Sequence, residues 1–202
     1  DKPIHVQYFD WLRSLLTFDF GASLRSSEPV SSLIGERIAV TIELAVLAII
    51  LSTLIAVPLG IIAAVRRNGV IAWIAQVVGL LGLSVPSFWL ALLLLLVASL
   101  KFQWYPSLIW VSPFDDPRAN LEQMLLPVLA MSGALIAVIM RMTRSAMLEV
   151  LNQDYIRTAR AKGITQRSVI TGHAMKNALL PTVTSLGLQV GLLLSGAFLV
   201  EL

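Results

Sequence analysis

Apolar residues along this chain do not alternate with polar ones at a strand's period or at that of a surface helix. They gather in long windows almost free of charge. A helix needs about 20 mostly apolar residues to cross roughly 30 Å of hydrocarbon. Four windows qualify: 38–65, charged only at Glu43; 71–100; 123–140; and 177–200. Each carries a proline (Pro58, Pro86, Pro127, Pro181), which a bundle in lipid tolerates where neighbours satisfy the freed carbonyls. The second window would run about 45 Å as one helix. It reads either as one kinked span or as a re-entrant pair broken at Ser84-Val85-Pro86-Ser87. Ahead of the first window, Tyr8, Trp11, Leu12, Leu15 and Leu16 form a helical stripe, and Pro29 suits the first turn of a further short helix leading into span one. The stripe predicts an amphipathic helix on the outer face of a bundle, or a docking surface for an outside partner.

Charge sets the topology. Only 13% of the 202 residues are charged, against about 25% in soluble domains. No acidic residue lies between Glu43 and Asp115, and no charge between Arg67 and Lys101. The expected class is an all-α, polytopic membrane bundle. Arg66 and Arg67 precede the second window; after the third come Arg141, Arg144, Arg157, Arg160, Lys162, Arg167 and Lys176 against Glu149 and Asp154. Cytoplasmic loops carry the excess of Lys and Arg, so both basic loops belong inside. That requires an even number of crossings between them, so the second window counts once and four spans result. Segment 1–37 and loop 101–122, with Trp104, Tyr105 and Trp110 as interface anchors, then lie outside. The net charge of +3 is accounted for by these loops, so lipid rather than nucleic acid is the expected partner. A start at Asp1 and a stop directly after an apolar run predict a fragment of a longer chain, with both ends outside.

No catalytic constellation emerges. The chain has no Cys and two separate His, and contains neither a phosphate loop nor an H-E-x-x-H helix, so no catalytic residue, metal site or cofactor is assigned. Glu43 either pairs with Arg37 or headgroups near the outer surface, or lines a substrate path. Gly187 and Gly191 form a G-x-x-x-G step for close helix packing, within the chain or against another subunit. Ser185 and Gln189, like Gln76, Ser84, Ser87, Ser132 and Thr184, hydrogen-bond across helices or face a wet cavity. Trp89, deep in span two, is expected against protein or a cavity.

Loop 141–176 is the informative segment. Span three should continue as helix to Leu151, Asn152-Gln153-Asp154 should start a short helix over 155–162, Gly163 suits its C′ position, and Thr165 caps the next helix. A helix of about two turns is unstable alone in water, so something must hold it. It offers small residues (Ala159, Ala161, Gly163) beside Arg157, Arg160 and Lys162. It is either a basic helix resting on anionic lipid or a plug for a cleft on a cytoplasmic partner.

The segments Arg141-Met142-Thr143-Arg144-Ser145-Ala146-Met147, 154–163 (DYIRTARAKG) and Asn177-Ala178-Leu179-Leu180-Pro181 resemble the cytoplasmic loop of permease subunits in the dipeptide, oligopeptide and nickel branch of bacterial ABC importers. Segments 41–45 (TIELA), 57–60 (VPLG), 84–89 (SVPSFW) and 187–191 (GLQVG) are similar to that branch too, so the resemblance covers nearly the whole chain. It implies a type I importer fold with six spans and both termini inside, of which this chain would carry the middle four. It also implies that the loop holds the EAA motif, a coupling helix seated in a groove of an ATPase subunit. Gly163 would be the motif's glycine, and Arg157, Thr158 and Ala159 its first three positions. Asp154, Tyr155, Arg160 and Lys162 would share the contact. Arg157 stands where the motif's name has glutamate, and the interval from Gly163 to Leu180-Pro181 exceeds that of sugar importers. The partners implied are a second homologous permease, two cytoplasmic ATPase subunits and an extracytoplasmic solute-binding protein, all at the bacterial inner membrane. The domain layout expected is 1–37 as an extracytoplasmic segment and 38–202 as the transmembrane domain, including the coupling loop. An ion-coupled carrier or channel, or a non-transporting scaffold, are the alternatives.

Overall fold

A computed structural model describes residues 3–107 and 109–196. Among these the architecture is helical, with one isolated β-bridge between Ala22 and Pro29. The chain divides into two compact units, Asp1–Glu43 and Leu44–Leu202.

The first unit holds α1 (Ile4–Leu16), which carries the predicted stripe but buries none of its residues. Tyr8 packs edge-on against Phe9 at 5.8 Å between ring centroids and lies 6.1 Å from Trp11. The chain then turns, and α2 (Val30–Val65) starts directly after Pro29. The separate short helix expected here does not form. Pro29 presets the first turn of a helix that continues unbroken through span one, because a proline at the start removes only an N–H that has no partner anyway.

In the second unit α5 (Pro117–Leu151) is the central helix. Asp116 caps it, accepting from the Arg118 and Ala119 backbone N–H groups at 3.0 Å each, and Pro117 occupies the first helical position. Its first two turns are tied to the preceding loop: Asn120 Nδ2 and Gln123 Nε2 donate to the Val111 carbonyl at 3.0 and 2.9 Å, and Val111 N–H donates to Gln123 Oε1 at 3.3 Å. These contacts satisfy two buried amides that would otherwise be costly. The helix therefore starts six residues before the predicted span.

On α2 a row of small residues, Ala48, Ser52, Ala56, Gly60 and Ala64, recurs every fourth position and is wholly buried. The row lets α5 approach its backbone. A Cβ on Gly60 would lie 2.8 Å from the Met140 carbonyl and 2.8 Å from Thr143 Cβ. Ser132 Oγ reaches the Ala48 carbonyl at 3.4 Å, to which Ser52 also donates. Lipid supplies no hydrophobic drive between helices, so small-residue stripes of this kind provide the dispersion contact that holds them. The same Thr143 also reaches α8 (Met175–Gly196), its Oγ1 meeting Thr182 Oγ1 at 3.2 Å, both residues fully buried.

The second window forms two helices, α3 (Val70–Ser84) and α4 (Ser87–Phe102), bent by 101°. Val85 and Pro86 are both extended (ψ 119° and 137°), since the residue before proline is driven out of the α region and proline cannot continue the α3 ladder. The break falls at the predicted tetrapeptide, but its angle far exceeds a kink. Each half, about 22–24 Å long, is too short to cross by itself. Two described helices, α2 and α5, are long and apolar enough to span a membrane, and a third crossing is available if the bent pair acts as one. Of the fourth predicted span, 177–196 is helical in α8, while 197–200 lies outside the described residues.

Candidate functional site

Beyond Leu151 the backbone turns through Asn152 and Gln153 into α6 (Asp154–Ala161). Asp154 in its first turn meets the helix dipole with the favourable sign. The helix ends in a complete Schellman motif: Gly163 N–H donates to the Arg160 carbonyl at 3.0 Å and Ile164 N–H to the Ala159 carbonyl at 3.3 Å. Both bonds depend on Gly163 adopting φ +78°, where a side chain is strained. Thr165 then caps α7 (Gln166–Ser168), its Oγ1 accepting from Ser168 N–H at 3.4 Å. A π-helical stretch, Val169–Ala174, follows and leads into α8. Gly163 and the Thr165 cap lie where the sequence predicts them, whereas α6 covers 154–161 rather than 155–162 and Gln153 at its N-cap makes no side-chain capping bond.

What holds α6 is a small core below it. Ile156 (0% exposed) and Ala159 join Met147 and Ala146 of α5, Ala64 of α2, Val169 and Ala174 of the π stretch, and Ala178 of α8. Burying an isoleucine side chain is worth about 1.5–3 kcal/mol, which a two-turn helix cannot raise from its own hydrogen bonds. A second tie comes from Asn177 Nδ2, which donates to Tyr155 Oη at 2.9 Å. Sequence reading did not pick out Ile156; the i, i+3 pairing of Ile156 with Ala159 was the available signal.

The outward face is polar. Arg157 Nη1 pairs with Asp154 Oδ1 at 3.3 Å, Thr158 Oγ1 donates to the Asp154 carbonyl at 3.0 Å, and Arg160, Lys162 and Gly163 are exposed. The Arg157–Asp154 pair is fully wetted and contributes little to stability. Ala159, expected among the small residues offered for docking, instead faces inward. The helical period puts it on the Ile156 face, leaving Ala161 and Gly163 outside.

The remaining predicted residues do not converge on one site. Gly187 and Gly191 are exposed, and a Cβ at either would meet nothing within 4 Å among the described residues. Among the described residues the tight backbone approaches are at Gly60 and at Gly82, whose Cβ would lie 2.9 Å from the Gly133 carbonyl. Trp89 lies in the first turn of α4 just past the bend and is 48% exposed. Ser185 is buried and Gln189 half-buried one turn apart on α8, and Glu43 is half-buried on α2.

Residues 56–202 match the family described as binding-protein-dependent transport system inner membrane component. The chain belongs to this family. It is 40% identical over its whole length to the dipeptide transport system permease protein DppB of Bacillus subtilis (strain 168), covering 63% of that protein. It is 42% identical to a putative peptide transport system permease protein of Brucella suis biovar 1, again over the whole chain and 64% of the relative. Against the DppB of Escherichia coli (strain K12) it is 39% identical across 224 aligned positions, covering the whole chain and 66% of the relative. The chain thus spans just under two thirds of the first relatives it matches. Family membership and the long apolar helices make it a multi-pass membrane protein.

Proposed function

We propose that the chain is the central part of a permease that imports peptides or a related small solute across the bacterial inner membrane, driven by ATP hydrolysed in separate subunits docked on α6. The observation that carries this reading is the construction of α6: a helix too short to stand alone, seated on α2, α5 and α8 at once, closed by a glycine at positive φ, and showing its charged face to solvent. Relatives named as dipeptide and peptide permeases supply the solute class. On this reading Asp154, Tyr155, Arg157, Thr158, Arg160, Lys162 and Gly163 meet the ATPase, and Ala159 seats the helix. Four spans cross with loop 141–176 inside and both ends of the chain outside, and the bent α3–α4 pair counts as one crossing. Gly187 and Gly191 on α8 face a second, homologous permease. An extracytoplasmic binding protein delivers the solute, and Glu43, Trp89, Ser185 and Gln189 are candidates for its path.

A cysteine placed at Thr158 in the full-length permease tests the contact. Cross-linking to the ATPase subunit that is stronger from Thr158 than from exposed Lys101 is the expected result. Equal cross-linking from both positions would remove α6 as the docking helix.

A further inference from the structure

Between α3 and the inner end of α5 lies a cavity of about 330 Å³. Its walls are apolar, formed largely by Gly79, Leu80 and Leu83 of α3 and Met140 of α5, and its rim carries Arg141 and Arg144. Arg144 is half-buried. Its Nε is wholly shielded from solvent and has no hydrogen-bond partner among the described residues. Such a donor left unpaired costs about 1–3 kcal/mol, more when the group is charged. The lining contains no acidic side chain, and the amide of Gln76 is turned to its own helix, donating to the Ala72 carbonyl at 3.2 Å. Arg141 stands one turn before Arg144 on the same face of α5, so two guanidinium groups border one opening.

We propose that this groove binds an anionic phospholipid, with its phosphate on Arg144 and Arg141 and part of an acyl chain along Leu80 and Leu83. Three features select that occupant. The cationic pair sits where the apolar run of α5 ends, at the depth of a headgroup. The wall below it is hydrocarbon-like and open to the surroundings, Leu80 being 69% and Leu83 43% exposed. Planar guanidinium groups match a phosphate with paired, charge-assisted bonds, the combination found in basic pockets between membrane helices. A helix of another subunit laid here would cover the leucines but leave the two charges facing protein with no counter-charge in the lining. Placement in the inner leaflet rests on the orientation proposed above.

The test uses the full-length permease in its assembled transporter, purified in detergent and weighed intact by native mass spectrometry with added phosphatidylglycerol or phosphatidylcholine. Phosphatidylglycerol should be retained and phosphatidylcholine lost. Retention should fall roughly tenfold in Arg144→Gln with Arg141→Gln, in line with loss of charge-assisted bonds, and hold in Arg167→Gln, an exposed charge elsewhere on the loop. A photoreactive residue at Leu83, with both arginines intact, should cross-link to the lipid. Equal retention of the two lipids, unchanged retention in the double variant, displacement by millimolar inorganic phosphate, or a cross-link from Leu83 to a protein subunit would each overturn the proposal. Substrate-stimulated ATP hydrolysis by the same preparations reports on the transport reading separately.

Discussion

Gly163 offers the sharpest perturbation because its cost is confined to the backbone. A Cβ there would meet nothing within 4 Å, so no steric clash follows from a side chain. What a side chain does meet is φ +78°, a conformation that costs an ordinary L-residue roughly 1–2 kcal/mol and that asparagine adopts more readily. The alternative for the chain is to leave that conformation and give up the Gly163–Arg160 and Ile164–Ala159 bonds, each worth about 0.5–1.5 kcal/mol net. The first route weakens α6 by about 1–2 kcal/mol and the second by about 1–3 kcal/mol; the chain takes the cheaper, about a 5–30-fold rise in the opened population of α6. Hydrogen exchange of amides 158–164 in the full-length, assembled permease should therefore quicken in the order Gly163→Asn, Gly163→Ala, Gly163→Val, the β-branched residue being worst. Solute uptake should fall in the same order while membrane insertion and abundance stay constant. Wild-type exchange in the valine variant would refute the reasoning. So would an asparagine variant as damaging as valine, since that would make space rather than backbone angle the controlling quantity.

Three other outcomes are expected. Ile156→Ala should cost about 2–5 kcal/mol locally, visible as protease cleavage within 152–164 before any loss of the helices, whereas Arg160→Ala on the exposed face should leave cleavage unchanged. Gly60→Ala pushes a methyl into the Met140 carbonyl and should lower thermal stability by about 1–3 kcal/mol, while Gly187→Ala should leave the stability of the isolated permease unaltered. Thr143→Val strands the Thr182 hydroxyl in a buried site, so the double change Thr143→Val with Thr182→Val should be less destabilising than the sum of the singles, with a coupling of about 1 kcal/mol in a thermal-denaturation cycle.

Local chemistry was the legible part of this chain. Gly163 and Thr165 act within a few residues of themselves, so capping rules place the end of α6 and the restart after it before any tertiary contact is known. The break at Ser84-Val85-Pro86-Ser87 was legible in position, because proline's restriction is local, but not in angle, which depends on how α4 packs on α5. The α2 row escaped notice although its four-residue spacing is plain: Ala48, Ser52, Ala56 and Gly60 look like ordinary apolar-window residues until a partner helix is laid on them. Gly187 and Gly191 show the converse. A G-x-x-x-G step states that a backbone can be approached closely, not which backbone approaches it, and among the described residues the close approaches are made at Gly60 and Gly82.

One consequence of α5 is mechanical. The helix carries Pro127 inside it and runs on without interruption to Leu151, directly before α6. From Pro127 to Leu151 is about 36 Å at 1.5 Å per residue. A proline within a helix lacks one backbone bond and is where bending is concentrated. A swing of about 5° there carries the far tip through about 3 Å, close to two residues of helical rise. In the opposite direction the same lever divides displacement: a 3 Å movement imposed on α6 arrives at mid-helix as a small rotation, spread over α2, α3 and α8, which all lie against α5.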